Sequence, residues 1–320
     1  MNTKFAIGCL VQWYECDIIE EYVDSLKDAL DMYGEDVIVD FTVISNQDLE
    51  KCVSKDQLSK CVNKIVTTCN SILNSNIKIE ESLYTIADYR RWFLDYYNDK
   101  ADILIQGESD ALIPKQTFTV LDLLHQQVKN NTPKYIATFG INKMWDESWK
   151  PLEHVDFTDK PFINNDEKNW WSIRYTMTKE EMNSFNDDVE QLQIVNIKPH
   201  KFNGCGFVIS SEAVKAGVNI PKGTFFIDDT ALQNMARKIL PDMPQYHFRN
   251  ILIVHNRKHP KKRCKYIKGE QNIDYIDDKR KSTDWYDIAN EYSKINDARM
   301  FDPEHKFFTW NDVFSKIDKK

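Results

Sequence analysis

Ala101-Asp-Ile-Leu-Ile-Gln-Gly-Glu-Ser-Asp-Ala-Leu-Ile-Pro114 opens with an apolar run, Ile103-Leu104-Ile105, long enough for a buried strand. The run breaks at the acidic tripeptide Glu108-Ser109-Asp110. Period-2 geometry places residues i and i+2 on one side of a strand, so Glu108 and Asp110 can face one spot. Two carboxylates at the C-terminal edge of a strand are hard oxygen ligands, suited to Mg²⁺ or Mn²⁺ carrying a diphosphate. The stretch also reads as an acidic turn closing a strand. Its surroundings decide between the two.

Upstream, Phe5–Val11 is a continuous apolar run and reads as a buried strand. Ile18, Ile19, Tyr22, Val23, Leu26 and Leu30 recur at helical spacing directly after it. Val37–Ile44 is the next strand, and Leu58, Val62, Ile65, Val66, Cys69, Ile72 and Leu73 mark a long amphipathic helix. A helix around Ile86–Tyr97 leads into the acidic strand. Downstream, Leu121, Leu124 and Val128 mark a helix and Lys134–Phe139 a strand. Strand–helix alternation of this kind predicts an α/β fold with a mostly parallel sheet flanked by helices. Ligands bind such sheets beyond the carboxyl ends of the strands, where the acidic tripeptide sits. Neither G-x-G-x-x-G after the first strand nor G-x-x-x-x-G-K-[ST] is present, so an NAD fingerprint and a P-loop are excluded.

From 141 to about 200 the pattern changes. Trp145, Trp149, Trp170, Trp171 and Tyr175 are interleaved with charges, which predicts an insertion or lid rather than more sheet. Apolar patterning resumes at Gly204–Ile209 and at Ile251–Val254, and two amphipathic stretches close the chain around Trp285–Tyr292 and Trp310–Ile317. The expected organisation is a catalytic domain over 1–256, with the insertion at about 141–200, and a basic segment with a helical annex over 257–320.

At 320 residues and 42% hydrophobic composition the chain can bury a sizeable core. A net charge of −8 argues against a general nucleic-acid coat protein but leaves room for a local basic patch. No window approaches the ~20 apolar residues of a membrane span. The seven cysteines form no C-x-x-C pair, which predicts buried free thiols in a reducing compartment and, with no span, a soluble cytoplasmic protein; the sequence points to no obligate protein partner.

Three further features follow the acidic tripeptide. Asn203-Gly204-Cys205-Gly206 precedes the apolar Phe207-Val208-Ile209, a place where backbone can approach a ligand closely. Phe226-Ile227-Asp228-Asp229 opens the predicted helix Thr230–Ile239, which either aspartate can cap. His255 ends the run Ile251–Val254.

In this order and spacing the four features resemble metal-dependent glycosyltransferases of the GT-A fold, particularly family 2-like enzymes, over roughly Lys4–Asn256. Their pattern is a D-x-D motif after a strand, a glycine loop, an x-E-D motif opening a helix, and a late histidine. Here the first acidic position is Glu108 and the x-E-D motif reads Ile227-Asp228-Asp229, so each change keeps a carboxylate. The resemblance implies a Rossmann-like GT-A sheet and Mn²⁺ or Mg²⁺ held by Asp110, by Glu108 directly or through water, and by His255. It implies Asp229 as general base, with Asp228 as the alternative, and inversion at the anomeric carbon as the favoured outcome. Trp13, Tyr14 and Glu15 resemble the nucleotide-facing segment, Arg90 and Arg91 the basic position near the donor, and Gly204 and Gly206 the glycine loop. The donor is a nucleotide-sugar, UDP by family habit.

Residues 257–268 carry seven Lys/Arg and no acidic residue directly after His255, which suggests a polyanion contact through Arg257, Lys258, Lys261, Lys262 and Arg263. Trp170 and Trp171 are candidates for stacking on the acceptor, since enzymes acting on a base must reach it outside the stack. Composition and size are similar to those of a phage enzyme that decorates hydroxymethylated cytosine in its own DNA, acting in the host cytoplasm. The competing acceptors are a surface polysaccharide, a lipid-linked sugar or a protein. Readings of other classes are a non-catalytic nucleotide-sugar-binding or interaction module and a metal-dependent nucleotidyltransferase. The first would be favoured by loss of Asp110, Asp229 or His255, and the second would more usually carry a glycine- and basic-rich loop where Gln12-Trp13-Tyr14-Glu15 stands.

Overall fold

The computed structural model describes residues 2–142, 147–158, 176–198, 200–201, 204–258, 264–269 and 284–318. The chain begins β1 (Phe5–Gln12), α1 (Ile19–Tyr33), β2 (Val37–Ile44), α2 (Lys55–Cys69), β3 (Asn76–Glu80), α3 (Ile86–Tyr97) and β4 (Ile103–Glu108). It continues through β5 (Ala111–Leu112), α4 (Thr117–Val128), β6 (Ile136–Gly140), β7 (Thr176–Met177), α5 (Lys179–Asp187) and β8 (Ile194–Asn196). Then come β9 (Phe207–Ser210), α6 (Ser211–Lys215), α7 (Asp228–Ile239), β10 (Gln245–Leu252), β11 (Val254–Asn256), α8 (Tyr286–Ala298) and α9 (Trp310–Ile317).

Local chemistry accounts for the elements that frame the site. β1 is apolar on both faces and buried over Phe5–Val11, as a central parallel strand must be. α1 buries Ile19, Tyr22, Val23, Leu26 and Ala29, one stripe of a 3.6-residue period. It stops at Gly34, whose φ of 71° is the left-handed turn that glycine adopts without cost from a Cβ. α3 starts at a reciprocal cap: Asp88 N donates to Thr85 Oγ1, and Thr85 N donates to Asp88 Oδ2.

The large sheet has the order β3-β2-β1-β4-β9-β6-β10-β8. β1, β2, β3, β4, β6 and β10 run one way, and β9 and β8 run against them. Helices flank the sheet on both faces, over two cores. One is built on α1, α2 and α4, and the other on α3, α6 and α7. The architecture is thus an α/β fold with a mostly parallel central sheet flanked by helices. Three details differ from the sequence expectation. β3 is an extra edge strand with mostly exposed residues, too polar to stand out. The 141–200 stretch does supply sheet, because β8 pairs antiparallel with β10, and β7 joins the small sheet β5-β11-β7. Finally α2 ends at Cys69, leaving Ile72 buried in a turn and Leu73 exposed.

Register brings the site together. β11 pairs antiparallel with β5, setting His255 opposite Ala111, and Asn256 N donates to the Asp110 carbonyl at 2.7 Å. β9 pairs antiparallel with β4, with Phe207 opposite Gln106. Cys205, two residues before β9, comes within 4.8 Å of Glu108 and His255 through one ligand atom each. α8 and α9 pack on each other and on Phe225 through Ile288, Ala289 and Val313, and Trp285 Nε1 donates to the Leu49 carbonyl. The annex thereby closes over the carboxyl ends of the strands.

Gly8 of β1 lies directly under α3. A Cβ there would stand 2.5 Å from two Phe93 ring carbons and 2.6 Å from the Tyr89 hydroxyl, both side chains being buried. Gly8→Ala should therefore overpack the core and lose about 1–3 kcal/mol. Urea denaturation reads this as a lower midpoint at unchanged slope. An unmoved midpoint would mean that α3 yields freely.

Candidate active site

The end of β4, the start of α7 and the middle of α3 are joined by one guanidinium. Arg90 donates from Nη2 to Glu108 Oε1 at 2.7 Å and from Nη1 to Asp228 Oδ2 at 2.6 Å, with its own side chain 3% exposed. Burial works against the guanidinium charge, and the two carboxylates more than offset it and raise its pKa. Burial works against the Glu108 charge as well, and Arg90 with His255 outweighs it, holding the Glu108 carboxyl below its usual range. Arg90 is thus tied to carboxylates at both of its terminal nitrogens.

Next to this pair stand Asp110 and His255. His255 Nε2 lies 3.7 Å from Glu108 Oε2 and 4.0 Å from Asp110 Oδ1. Cys205 completes the corner, with Sγ 3.3 Å from His255 Nδ1 and 3.6 Å from Nε2. Burial and the nearby Glu108 and Asp110 charges push the Cys205 thiol well above its usual pKa. Cys205 was not among the sequence candidates. The signal was the Gly-Cys-Gly triplet itself, but only the antiparallel placement of β9 beside β4 shows that the cysteine faces the acids.

Arg90, Glu108, Asp110, Asp228 and His255 line a cavity of about 370 Å³, while Cys205 is not among its lining residues. One wall is Trp13, Tyr14, Ile44, Asn46 and the residues 83–86 that lead into α3. The other is aromatic: Phe225 and Phe226 before α7, with Trp285, Tyr286 and Trp310 of the annex. Phe226 and Tyr286 stack at 5.1 Å with planes 13° apart. Trp13 and Tyr14 are mostly buried and meet edge to face at 5.4 Å. Glu15 lines the cavity, but its Oε2 accepts from Gln12 N at 2.8 Å and Ser109 Oγ at 2.6 Å, so it braces the β1 and β4 ends against each other.

α7 enters through Ile227 in the left-handed region, at φ 62° and ψ 33°. A β-branched residue is strained there and persists only where its neighbours fix it. The Arg90 pair to Asp228 supplies that anchor. Asp229 follows, half-buried at the cavity wall. Burial and the adjacent Asp228 charge push its pKa up to about 7, against the opposing pull of Thr230 N–H and Arg90.

Not every sequence candidate reaches the cavity. Arg91 turns away, donating from Nε to the Ile220 carbonyl and pairing with Asp88 at 3.2 Å, since the helical period sends consecutive residues to different faces. Gly204 and Gly206 do not line the cavity. Gly206 instead holds a φ of 60° where a Cβ would meet Ile253, a turn that delivers Cys205. Arg257 and Lys258 are exposed and pair with Glu181 and Glu21. Trp170, Trp171, Lys261, Lys262 and Arg263 lie outside the described residues.

No family model matches the sequence, and no curated protein does. Solved structures are similar in fold. Staphylococcus aureus TarS 1–349 in complex with UDP-GlcNAc is 13% identical, with a TM-score of 0.43 over 76% of this chain and 58% of that one. Mannosyltransferase PcManGT from Pyrobaculum calidifontis, in complex with GDP-Man and Mn²⁺, is 12% identical, with a TM-score of 0.46 over 99% and 70%. Glucosyl-3-phosphoglycerate synthase from Mycobacterium tuberculosis, in complex with Mg²⁺ and UDP, is 11% identical, with a TM-score of 0.41 over 80% and 72%. These neighbours are glycosyltransferases of the GT-A fold. The chain spans less than two thirds of the TarS fragment. Among the described residues, no helix is long and apolar enough to cross a membrane.

Proposed function

We propose that the chain is a metal-dependent glycosyltransferase that moves a sugar from a nucleotide-diphosphate donor, UDP in the first instance, to an acceptor hydroxyl with inversion. The observation that carries this reading is the meeting of Asp110, His255 and Asp229 on one cavity of about 370 Å³, a size that suits a small ligand. Residues 1–256 form the catalytic unit in this reading, and 257–320 the annex that closes it.

The wall of Trp13, Tyr14, Ile44 and Asn46 is apolar and aromatic with one amide, chemistry suited to a nucleobase. Glu108 and Asp110 offer carboxylate oxygens 3.7 and 4.0 Å from His255 Nε2, a donor set that fits Mn²⁺ or Mg²⁺. Such an ion, when bound, neutralises the charge that grows on the diphosphate leaving group. Arg90 keeps Glu108 ionised and fixes Asp228, which leaves Asp229 as the carboxylate that takes the proton. As the acceptor oxygen bonds to the anomeric carbon, the bond to the diphosphate breaks and the acceptor proton passes to Asp229. A single displacement of this kind inverts the centre.

The acceptor we put forward is hydroxymethylated cytosine in DNA. The aromatic wall of Phe226, Trp285, Tyr286 and Trp310 suits a flat ring, and the Lys/Arg run begins two residues after His255. The pairs that Arg257 and Lys258 make with glutamates are exposed, worth about 0–1 kcal/mol, and yield readily to a phosphate. Nucleotide release from a panel of UDP- and GDP-sugars with Mn²⁺, with and without hydroxymethylcytosine DNA, tests all three elements. Release stimulated by that DNA and stopped by chelation is the expected result. Release indifferent to DNA would move the acceptor to a polysaccharide, lipid-linked sugar or protein. Silence with no nucleotide binding would overturn the transferase reading.

A further inference from the structure

The Glu108–Cys205–His255 corner has a chemistry that sugar transfer on a hard cation does not call for. We propose that these three side chains form a binding site for a zinc-class divalent ion, with Cys205 as a thiolate ligand. Metal bonds of about 2.0–2.3 Å in tetrahedral geometry set neighbouring ligand atoms roughly 3.3–3.6 Å apart. The sulfur lies 3.6 Å from His255 Nε2, and that nitrogen lies 3.7 Å from Glu108 Oε2. All three ligand atoms fall within 4.8 Å of one another, so an ion seats with side-chain adjustment alone.

The sulfur is also nearly equidistant from the two ring nitrogens, at 3.3 and 3.6 Å. A directed hydrogen bond would align it with one of them. With the sulfur slightly nearer Nδ1, sharing an ion at Nε2 requires the Cys205 side chain or the imidazole to turn. The ligands come from three segments: Glu108 ends β4, Cys205 stands two residues before β9, and His255 is held by β5 and β7 on either side. Arg90 occupies the other Glu108 oxygen, which orients Oε2 inward in the manner of outer-shell partners at metal sites.

Softness then sets the selectivity. Thiolate with imidazole favours Zn²⁺ and Co²⁺ over Mg²⁺, which takes oxygen. On binding, the Cys205 proton leaves to solvent as the sulfur–metal bond forms, with no change of oxidation state, so one proton is released per ion. A divalent charge reverses the field of Glu108 and Asp110 that keeps that proton in place. Zinc and the hard ion of the proposed transferase share His255 and Glu108, so they exclude each other. The exclusion rests on the transferase reading; the zinc site itself does not.

The test is a Co²⁺ titration of the full chain, stripped of metal and kept reduced with a phosphine. The expected spectrum has the visible bands of four-coordinate cobalt and a near-ultraviolet thiolate-to-cobalt band. Both should saturate at one ion per chain and be bleached by one equivalent of Zn²⁺. Cys205→Ser should lose the near-ultraviolet band and weaken the ion by at least about tenfold at unchanged circular dichroism. If the serine variant misfolds, Cys205→Ala serves the same comparison. A bound cobalt without the thiolate band, a band that survives both substitutions, or no binding would each overturn the proposal. No sugar nucleotide is present, so its failure is distinct from silence in the release assay.

Discussion

Asp229→Asn should retain donor binding and lower turnover by on the order of 10²–10⁴, the usual worth of a positioned general base. The pH profile is the sharper readout. With its pKa pushed up to about 7 by burial and by Asp228, Asp229 loses the carboxylate form as pH falls through neutrality. Turnover of the unaltered chain should therefore fall about tenfold per pH unit below that point, since only the carboxylate can accept the proton. In Asp229→Asn this acid limb should vanish from the residual rate. If the limb persisted, the titrating base would be another group. If Asp228→Asn cost more turnover than Asp229→Asn while leaving stability intact, the assignment within the pair would be reversed.

Much of the fold was legible from apolar spacing. Val37–Ile44, Ile86–Tyr97 and Trp310–Ile317 begin and end in the structure where their periodicity places them. These are segments whose side chains carry a continuous or periodic buried stripe, so local pattern and tertiary packing agree. Residues 76–80 and 194–196 escaped because an edge strand needs backbone pairing on one side and little burial. The sheet order was out of reach for a different reason. That β9 inserts antiparallel between β4 and β6 depends on which strands pair, and periodicity within a strand does not record its neighbour.

The site divides along the same line. Glu108, Asp110, Asp228 and Asp229 stand at or beside ends of elements and His255 follows the apolar run 251–254, so each is a polar residue after an apolar run and visible in one dimension. Arg90 and Arg91 were a tied pair in the sequence. The structure separates them by helical phase, sending Arg90 inward to two carboxylates and Arg91 outward to Asp88. Cys205 and the annex wall of Trp285, Tyr286 and Trp310 were missed because their neighbours come from segments far along the chain. A free cysteine and an amphipathic helix each look ordinary until the sheet edge they face is known.

Arg90→Met is expected to lose about 3–5 kcal/mol of stability, the cost of stranding buried carboxylates. The guanidinium, 3% exposed, holds Glu108 and Asp228 at 2.7 and 2.6 Å, so its removal takes this counter-charge from both and leaves Glu108 with His255 alone. Methionine fills similar volume, which isolates charge from packing. Arg90→Lys should also be destabilising, because one ammonium cannot fork to two carboxylates as a planar guanidinium does. The loss should depend on pH. Stranded carboxylates in Arg90→Met have folded pKa values raised above the unfolded ones, so their penalty is present at neutral pH and fades as pH falls through that raised range. Only below the ordinary glutamate range does the unaltered chain lose what the depressed Glu108 contributes, since protonation then ends the Arg90 pair. The gap between the two should therefore narrow toward pH 4, near the unperturbed pKa of a glutamate. A double-mutant cycle with Asp228→Asn separates the causes: removing one stranded charge should return part of the loss, a coupling of about 0.5–3 kcal/mol. Strict additivity at neutral pH would mean that Arg90 and Asp228 are not coupled and that the loss runs through Glu108. It would also remove the reason why Ile227 tolerates its left-handed backbone, because the anchor on α7 would then have to lie elsewhere.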